Sequence, residues 1–162
     1  MSLISKIKLG LISGTLLLTV GILLSDQALP SSVELYSLKR LQEKIFMVVK
    51  TDPQDKVNYY NLLLDKRLEE ILAIIQNRDF SLVLSSSLRY STTAGLMTEL
   101  IKSGHLTVAS VTALEKFKKH QIIFKNLDDA YPKDEGQEWK YIQDDYNYLG
   151  IYSQQLKDAF GN

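Results

Sequence analysis

The chain has 162 residues, of which 45% are hydrophobic, and its 19 basic residues balance 19 acidic ones. This length accommodates one domain with at most a short appendage. The zero net charge excludes the strongly basic surface of a general nucleic-acid binder, so no nucleic-acid partner is expected. The lack of cysteine excludes disulfides, thiolate catalysis and cysteine-ligated zinc.

An uncharged apolar run occupies residues 9–25. At about 1.5 Å per residue it spans roughly 26 Å, which is at the short end of the transmembrane range. We predict an uncleaved signal anchor that binds the lipid bilayer, because Asp26 lies two residues before Ala28, where a secretory cleavage site requires a small neutral residue. The alternatives are secretion after signal cleavage and a buried core helix of a soluble protein.

The charges that flank this run predict its orientation. Lys6 and Lys8 precede it, and positive residues stay on the cytoplasmic side, so residues 1–8 form a short cytoplasmic tail. Residues 26–32 are then a linker, and residues 33–162 are an extracytoplasmic domain. The localisation predicted is therefore a single-pass protein of the cell membrane with its C-terminal domain outside.

Helical periodicity extends over the remainder of the chain, and no window has the alternation typical of a strand. A capping-box spacing begins the first helix at Ser31 and Glu34. Asp52 followed by Pro53 predicts the N-cap and first residue of the second helix. The helices are predicted over 33–50, 53–77, 80–103, 107–130 and 136–160.

The apolar stripes of the last two helices repeat at close to 3.5 residues, which is typical of coiled-coil-like packing at shallow angles. The fold class predicted is all-α, with an N-terminal transmembrane helix followed by an antiparallel bundle of four to five helices. The third of the predicted helices is rich in serine, threonine, alanine and glycine. This composition favours close helix packing, with a serine-rich ligand face as the alternative. The predicted stripe of the last helix is Trp139, Ile142, Tyr146, Leu149, Ser153, Leu156 and Phe160.

Motifs for catalysis, phosphate binding and dinucleotide binding are absent from the sequence, so neither an enzyme nor a cofactor is expected. His105 and His120 lack the spacing of paired metal ligands. His120 lies on an apolar stripe and is predicted to be a core histidine, with a ligand or pH-sensing role as the alternative.

Acidic pairs and tyrosines supply the other candidates. The pairs 128–129, 134–135 and 144–145 are predicted to be solvated, with cation binding as the alternative, although the calcium-loop spacing is missing. Off the core stripe of the last helix, a row of tyrosines either forms a partner surface for a protein or a glycan or packs on a neighbouring helix. These residues are Tyr141, Tyr148 and Tyr152.

The segment 29–71 carries a combination of short motifs: Leu-Pro, Leu-Tyr-x-Leu-Lys with a following Glu, Asp-Pro with a basic residue, and Arg-Leu-x-Glu. This combination resembles a bacterial family of unknown function that occurs in exported or membrane-anchored proteins. The resemblance covers about a quarter of the chain and implies a helical hairpin outside a membrane anchor, with no known activity or cofactor. The matching residues are Leu29, Pro30, Leu35, Tyr36, Leu38, Lys39, Glu43, Asp52, Pro53, Lys56, Arg67, Leu68 and Glu70.

The charged residues of this segment are interpreted as architecture. Glu43 is one helical turn from Lys39 and pairs either with it or with Arg67 across the hairpin, where Tyr36 would join the pair. Four residues are also close enough to the anchor to touch lipid headgroups, namely Tyr36, Lys39, Arg40 and Lys44.

The function that these features favour is a membrane-anchored extracytoplasmic helical bundle that acts by binding, as an envelope scaffold, adaptor or sensor-type module with an envelope protein as partner. The alternative is a small-ligand or metal-binding envelope protein that uses His120 or the acidic pairs.

Overall fold

The computed structural model describes most of the chain from residue 41 onward, namely residues 41, 43, 45–47, 49–134 and 136–161. The predicted anchor at 9–25, the linker at 26–32, and Tyr36 and Lys39 lie outside the described residues. Within the described ranges, no helix combines the length and the apolar character needed to cross a membrane.

The chain divides into two compact units, Met1–Val49 and Lys50–Asn162. The described residues from 41 to 49 in the first unit are helical, as predicted for the first helix. The predicted Glu43–Arg67 pair would join the two units, and it stays a prediction.

Four long helices and one short 3-10 turn make up the second unit, and its described residues contain no strand, which confirms the all-α prediction. The 3-10 turn, Phe80–Leu82, occupies the predicted beginning of the third helix. The helices are α1 (Pro53–Gln76), α2 (Val83–Ser103), α3 (Thr107–Ala130) and α4 (Trp139–Phe160).

The start of α1 is fixed by its sequence as predicted. The Asp52 side chain accepts a hydrogen bond from the Asp55 amide at 3.0 Å, and Pro53 takes the first helical position. The cap satisfies one amide that has no partner within the helix, while proline has no N–H to leave unpaired.

Removing this cap should weaken the second unit measurably. We expect Asp52→Ala to lower the free energy of unfolding by about 1 kcal/mol, because the Asp55 amide loses its acceptor. Asp55→Ala is the matched control, since it keeps the cap. Equal urea midpoints for the parent and Asp52→Ala would contradict the role of the cap.

The helices form a bundle in which α2 packs against both α1 and α4, and α3 packs mainly against α4. Consecutive helices run in opposite directions, because their connections are short. Helices α2 and α4 therefore run in parallel, and two pairs at successive levels show this: Ser87 with Tyr141, and Gly95 with Tyr152.

One continuous apolar core lies between these helices. Its largest fully buried side chains come from all four of them, which explains why each helix has an apolar stripe. They are Tyr90, Phe117, Phe124, Leu64, Ile71, Ile74, Met97, Ile101, Ile142, Leu149, Leu156 and Val57.

The inward face of α4 differs from the predicted stripe at one position. Tyr146 was expected in the core, but its side chain is 37% exposed, while Asp145 is 1% exposed. Helix α4 packs against α2 as well as α3, and this turns its inward face by one residue toward Asp145. The prediction that the pair 144–145 is solvated is therefore wrong for Asp145.

Candidate functional site

A chain of polar side chains runs from the bundle core to its surface. The Tyr90 hydroxyl lies 2.7 Å from His120 Nδ1, and His120 Nε2 lies 3.1 Å from Asp65 Oδ1. Lys116 lies at the outer end of this chain, where its Nζ donates to Asp65 Oδ2 at 2.5 Å and to the Asn61 carbonyl at 3.0 Å. Helices α1, α2 and α3 each contribute to this polar chain.

The partners of His120 decide where its proton lies. An ionised Asp65 can only accept, so Nε2 of His120 carries the proton and donates it. Nδ1 is then the acceptor, and the Tyr90 hydroxyl donates to it. The predicted core histidine is thus confirmed: His120 is buried, and it bonds through both ring nitrogens.

Burial keeps both inner groups of this chain uncharged. It lowers the pKa of His120, and the Lys116 charge lowers it further, although the Asp65 carboxylate acts in the opposite direction. Burial also raises the pKa of the Tyr90 hydroxyl well above its usual value, and the charges of Asp145 and Asp65 add to this effect. At neutral pH the chain therefore consists of a neutral tyrosine, a neutral histidine and an ion pair at its outer end.

Asp145 is a buried acid without such hydrogen-bond partners. Neither carboxylate oxygen accepts a hydrogen bond from a described residue, and the neighbouring Ser87 hydroxyl donates instead to the Tyr141 carbonyl at 3.0 Å. Burial raises the pKa of Asp145 to about 8; Ser87 lowers it in part, and the Asp144 charge raises it. Asp145 is therefore mostly protonated at neutral pH.

The motif residues Arg67 and Glu70 meet at a third polar group, on the side of α1 that faces α2. Glu70 is buried and pairs with Arg89 at 2.8 Å, and Arg67 donates to the Arg89 carbonyl at 2.7 Å. Burial lowers the pKa of Arg89 to about 10. These contacts tie α1 to α2, which agrees with the architectural interpretation of the motif.

The three tyrosines of the predicted row occupy different environments. Tyr141 and Tyr152 are half-buried against the core, whereas Tyr148 is 44% exposed. Tyr148 stacks on Tyr152 with ring centroids 6.0 Å apart, and Gly95 of α2 leaves room for the Tyr152 ring. Tyr141 and Tyr152 therefore follow the packing alternative, whereas the partner surface stays a prediction for Tyr148.

The order Tyr90–His120–Asp65 is that of a nucleophile, a base and an orienting acid. Tyr90, however, is fully buried, so no external substrate can reach its hydroxyl in this arrangement. The described residues include no group of three or more His, Cys, Asp or Glu that could hold a metal ion.

A family of a domain of unknown function, DUF5667, matches residues 27–134, which is two thirds of the chain. The chain belongs to the DUF5667 family. This confirms the expected membership of a family of unknown function, while the individual motifs of segment 29–71 stay a resemblance. Comparison with curated proteins and with solved structures gives no match.

The DUF5667 match covers α1, α2 and α3 but ends before α4. The side chains of the polar chain (Tyr90, His120, Asp65 and Lys116) all lie within the family domain. Asp145 and the exposed Tyr148 lie beyond it. The sequence contained a signal for Asp145, because it lies three residues after Ile142 and four before Leu149. No spacing rule could connect Asp65 with His120, because they lie on different helices.

Proposed function

We propose that this DUF5667 protein is a non-catalytic binding module, of the scaffold or sensor type, held at the outer side of a membrane and recognising an envelope protein. The observation that carries the proposal is an uncharged aromatic and leucine surface where α2 and α4 lie side by side. We call it the α2–α4 face and define it by Leu84, Leu88, Tyr148 and Tyr152.

The α2–α4 face has the composition of an interface core. Leu84, Leu88 and Tyr148 are exposed, and the Tyr148–Tyr152 stack supplies rigid aromatic area. Arg89 is the only charged residue that α2 carries before Glu99, and it pairs with Glu70 of α1. On α4 no charged residue lies between Asp145 and Lys157. Depletion of charge and enrichment in tyrosine are the features that distinguish interface cores from ordinary surface.

The closed polar chain supports binding over catalysis. The Tyr90 hydroxyl occupies the position that a nucleophile would take in this polar chain, and it is buried in the core together with His120. Such a fully bonded chain stabilises one arrangement of α1, α2 and α3, which a docking surface requires. Reaction with a substrate would instead need an open path to the hydroxyl.

Membrane anchoring rests on the sequence of residues 9–25, with Lys6 and Lys8 on the inner side. The test is fractionation of cells that make the full chain with a C-terminal tag. We expect the tag in the membrane fraction and its digestion by protease added to spheroplasts. Leu17→Arg should release the protein from membranes, and Leu62→Arg, at an exposed position of α1, should not. Recovery of the full chain from the cytosol would contradict the proposal.

A second candidate function, small-ligand binding, is favoured by a groove between α3 and α4 that residues with polar groups line. The groove has a volume of about 150 Å³. The groove lies on the other side of α4 from the α2–α4 face. Substitutions can therefore test the two candidate functions separately.

A further inference from the structure

The groove between α3 and α4 is lined by side chains from one end of each helix. Lys125 and Asp128 come from the last turns of α3, and Gln143, Tyr146 and Asn147 come from the first turns of α4. Its volume of about 150 Å³ far exceeds the roughly 15 Å³ that a single water needs. It is therefore large enough for a small polar ligand.

Both charges in the groove already have partners. Lys125 Nζ lies 3.2 Å from Asp129 Oδ2, and Asp128 Oδ1 lies 3.1 Å from Lys133 Nζ. An anionic ligand would compete with Asp129 for the ammonium, and a cationic ligand would compete with Lys133 for the carboxylate. The groove therefore favours a ligand without net charge.

The carboxamides of Gln143 and Asn147 lie one turn apart on α4, and neither makes a hydrogen bond to another described residue. Each one offers two N–H donors and one carbonyl acceptor. A purely apolar ligand would leave these groups without partners, which is unfavourable. The ligand should therefore carry both donors and acceptors, as hydroxyl groups do.

Tyr146 lines the groove together with the two carboxamides and is 37% exposed. Its ring offers an apolar face, and its hydroxyl offers a donor and an acceptor. A sugar ring matches this combination, because its C–H groups form an apolar face while its hydroxyls project from the edge. We propose that the α3–α4 groove binds one neutral sugar unit of a glycan.

This proposal rests on the second candidate function, ligand binding in the α3–α4 groove. It is independent of the partner surface, because it uses the opposite side of α4 and none of the residues of the α2–α4 face. Its probes are maltose, cellobiose and N,N′-diacetylchitobiose, each titrated against the full-length chain and followed by saturation-transfer NMR. We expect at least one of them to bind with a Kd near 1 mM. Its ring C–H protons should receive more saturation than its exocyclic protons, because they lie against Tyr146.

The variant Gln143→Ala/Asn147→Ala should weaken this binding by about tenfold or more, and Tyr146→Ala should remove the preference for ring C–H protons. Gln154→Ala, which removes an exposed carboxamide elsewhere on α4, should bind as the parent does. Galacturonic acid, the charged comparison, should bind more weakly than the neutral sugars. Absence of binding for all three probes, or unchanged binding in the double variant, would overturn the proposal.

Discussion

Replacing Asp145 by asparagine should stabilise the bundle by at least about 2 kcal/mol at pH 8 and have little effect at pH 4. The parent buries a carboxyl group whose oxygens have no donor among the described residues, and asparagine keeps its shape without an ionisable group. Urea unfolding of both proteins across this pH range measures the effect.

The sign follows from the raised pKa of Asp145. In the unfolded chain this carboxyl ionises near pH 4, but in the folded bundle it ionises near pH 8. Between these values the folded state holds one more proton on Asp145 than the unfolded state, so this carboxyl alone lowers the stability by about 1.4 kcal/mol per pH unit as the pH rises. Asp144→Asn, at an exposed neighbouring position, should keep most of this slope. A parent whose stability does not change between pH 4 and pH 8 would refute the buried, unsupported carboxyl.

The lowered pKa of His120 changes the stability with pH in the opposite direction. Its pKa is lowered by burial, so its contribution to stability is present above its unfolded pKa of about 6.5 and is lost as the pH falls through the folded value. Below about pH 6.5, and down to its folded pKa, His120 therefore offsets the loss from Asp145, so the stability of the parent should change little there and fall most steeply between about pH 6.5 and pH 8. Asp145→Asn should remove this fall and leave the rise of stability with pH that His120 produces.

Tyr90→Phe should lower the free energy of unfolding by about 1–3 kcal/mol, because His120 Nδ1 keeps its buried position and loses its only observed donor. The phenyl ring of phenylalanine preserves the edge-to-face packing of Tyr90 on Phe124, whose ring centroid lies 4.8 Å away. The expected change therefore reports the hydroxyl alone.

The double variant Tyr90→Phe/His120→Leu separates an unsatisfied nitrogen from a general packing defect. Removing both partners eliminates the unpaired acceptor, so the double variant should be less destabilised than the sum of the two single variants. Asp65 retains Lys116 as its partner in all these proteins. Additive effects would show that the Tyr90–His120 bond does not stabilise the core.

Most of the fold could be predicted from apolar periodicity and helix-end signals. The Asp52–Pro53 pair fixes the start of α1 because capping is a local interaction that the sequence displays directly. The end of α2 is less predictable. A glycine directly after the last turn is the usual site of the left-handed residue that ends a helix, yet the φ of Gly104 is −86° and His105 takes the left-handed conformation with φ +50°. The left-handed residue that follows α2 is therefore His105, one position after the glycine.

The polar core could be predicted only in part. His120 was expected in the core because it lies on a stripe, which is a property of its own helix. Its partners Tyr90 and Asp65 lie 30 and 55 residues away in the chain, and only the packing of α2 and α1 brings them together. Asp145 was misassigned because adjacent acids suggest a solvated surface, whereas the rotation of α4 buries one and exposes the other.

The central claim, that the α2–α4 face binds a different protein, is tested most directly by photo-crosslinking from that face in intact cells. A photoreactive amino acid at position 148 should give a discrete crosslinked product of the full chain, and Leu88→Asp should abolish it while leaving the unfolding midpoint unchanged. The same group at Ile122, an exposed apolar position on α3, should give none. A product from both positions, no product from position 148, or a product that contains only a second copy of this chain would contradict the claim.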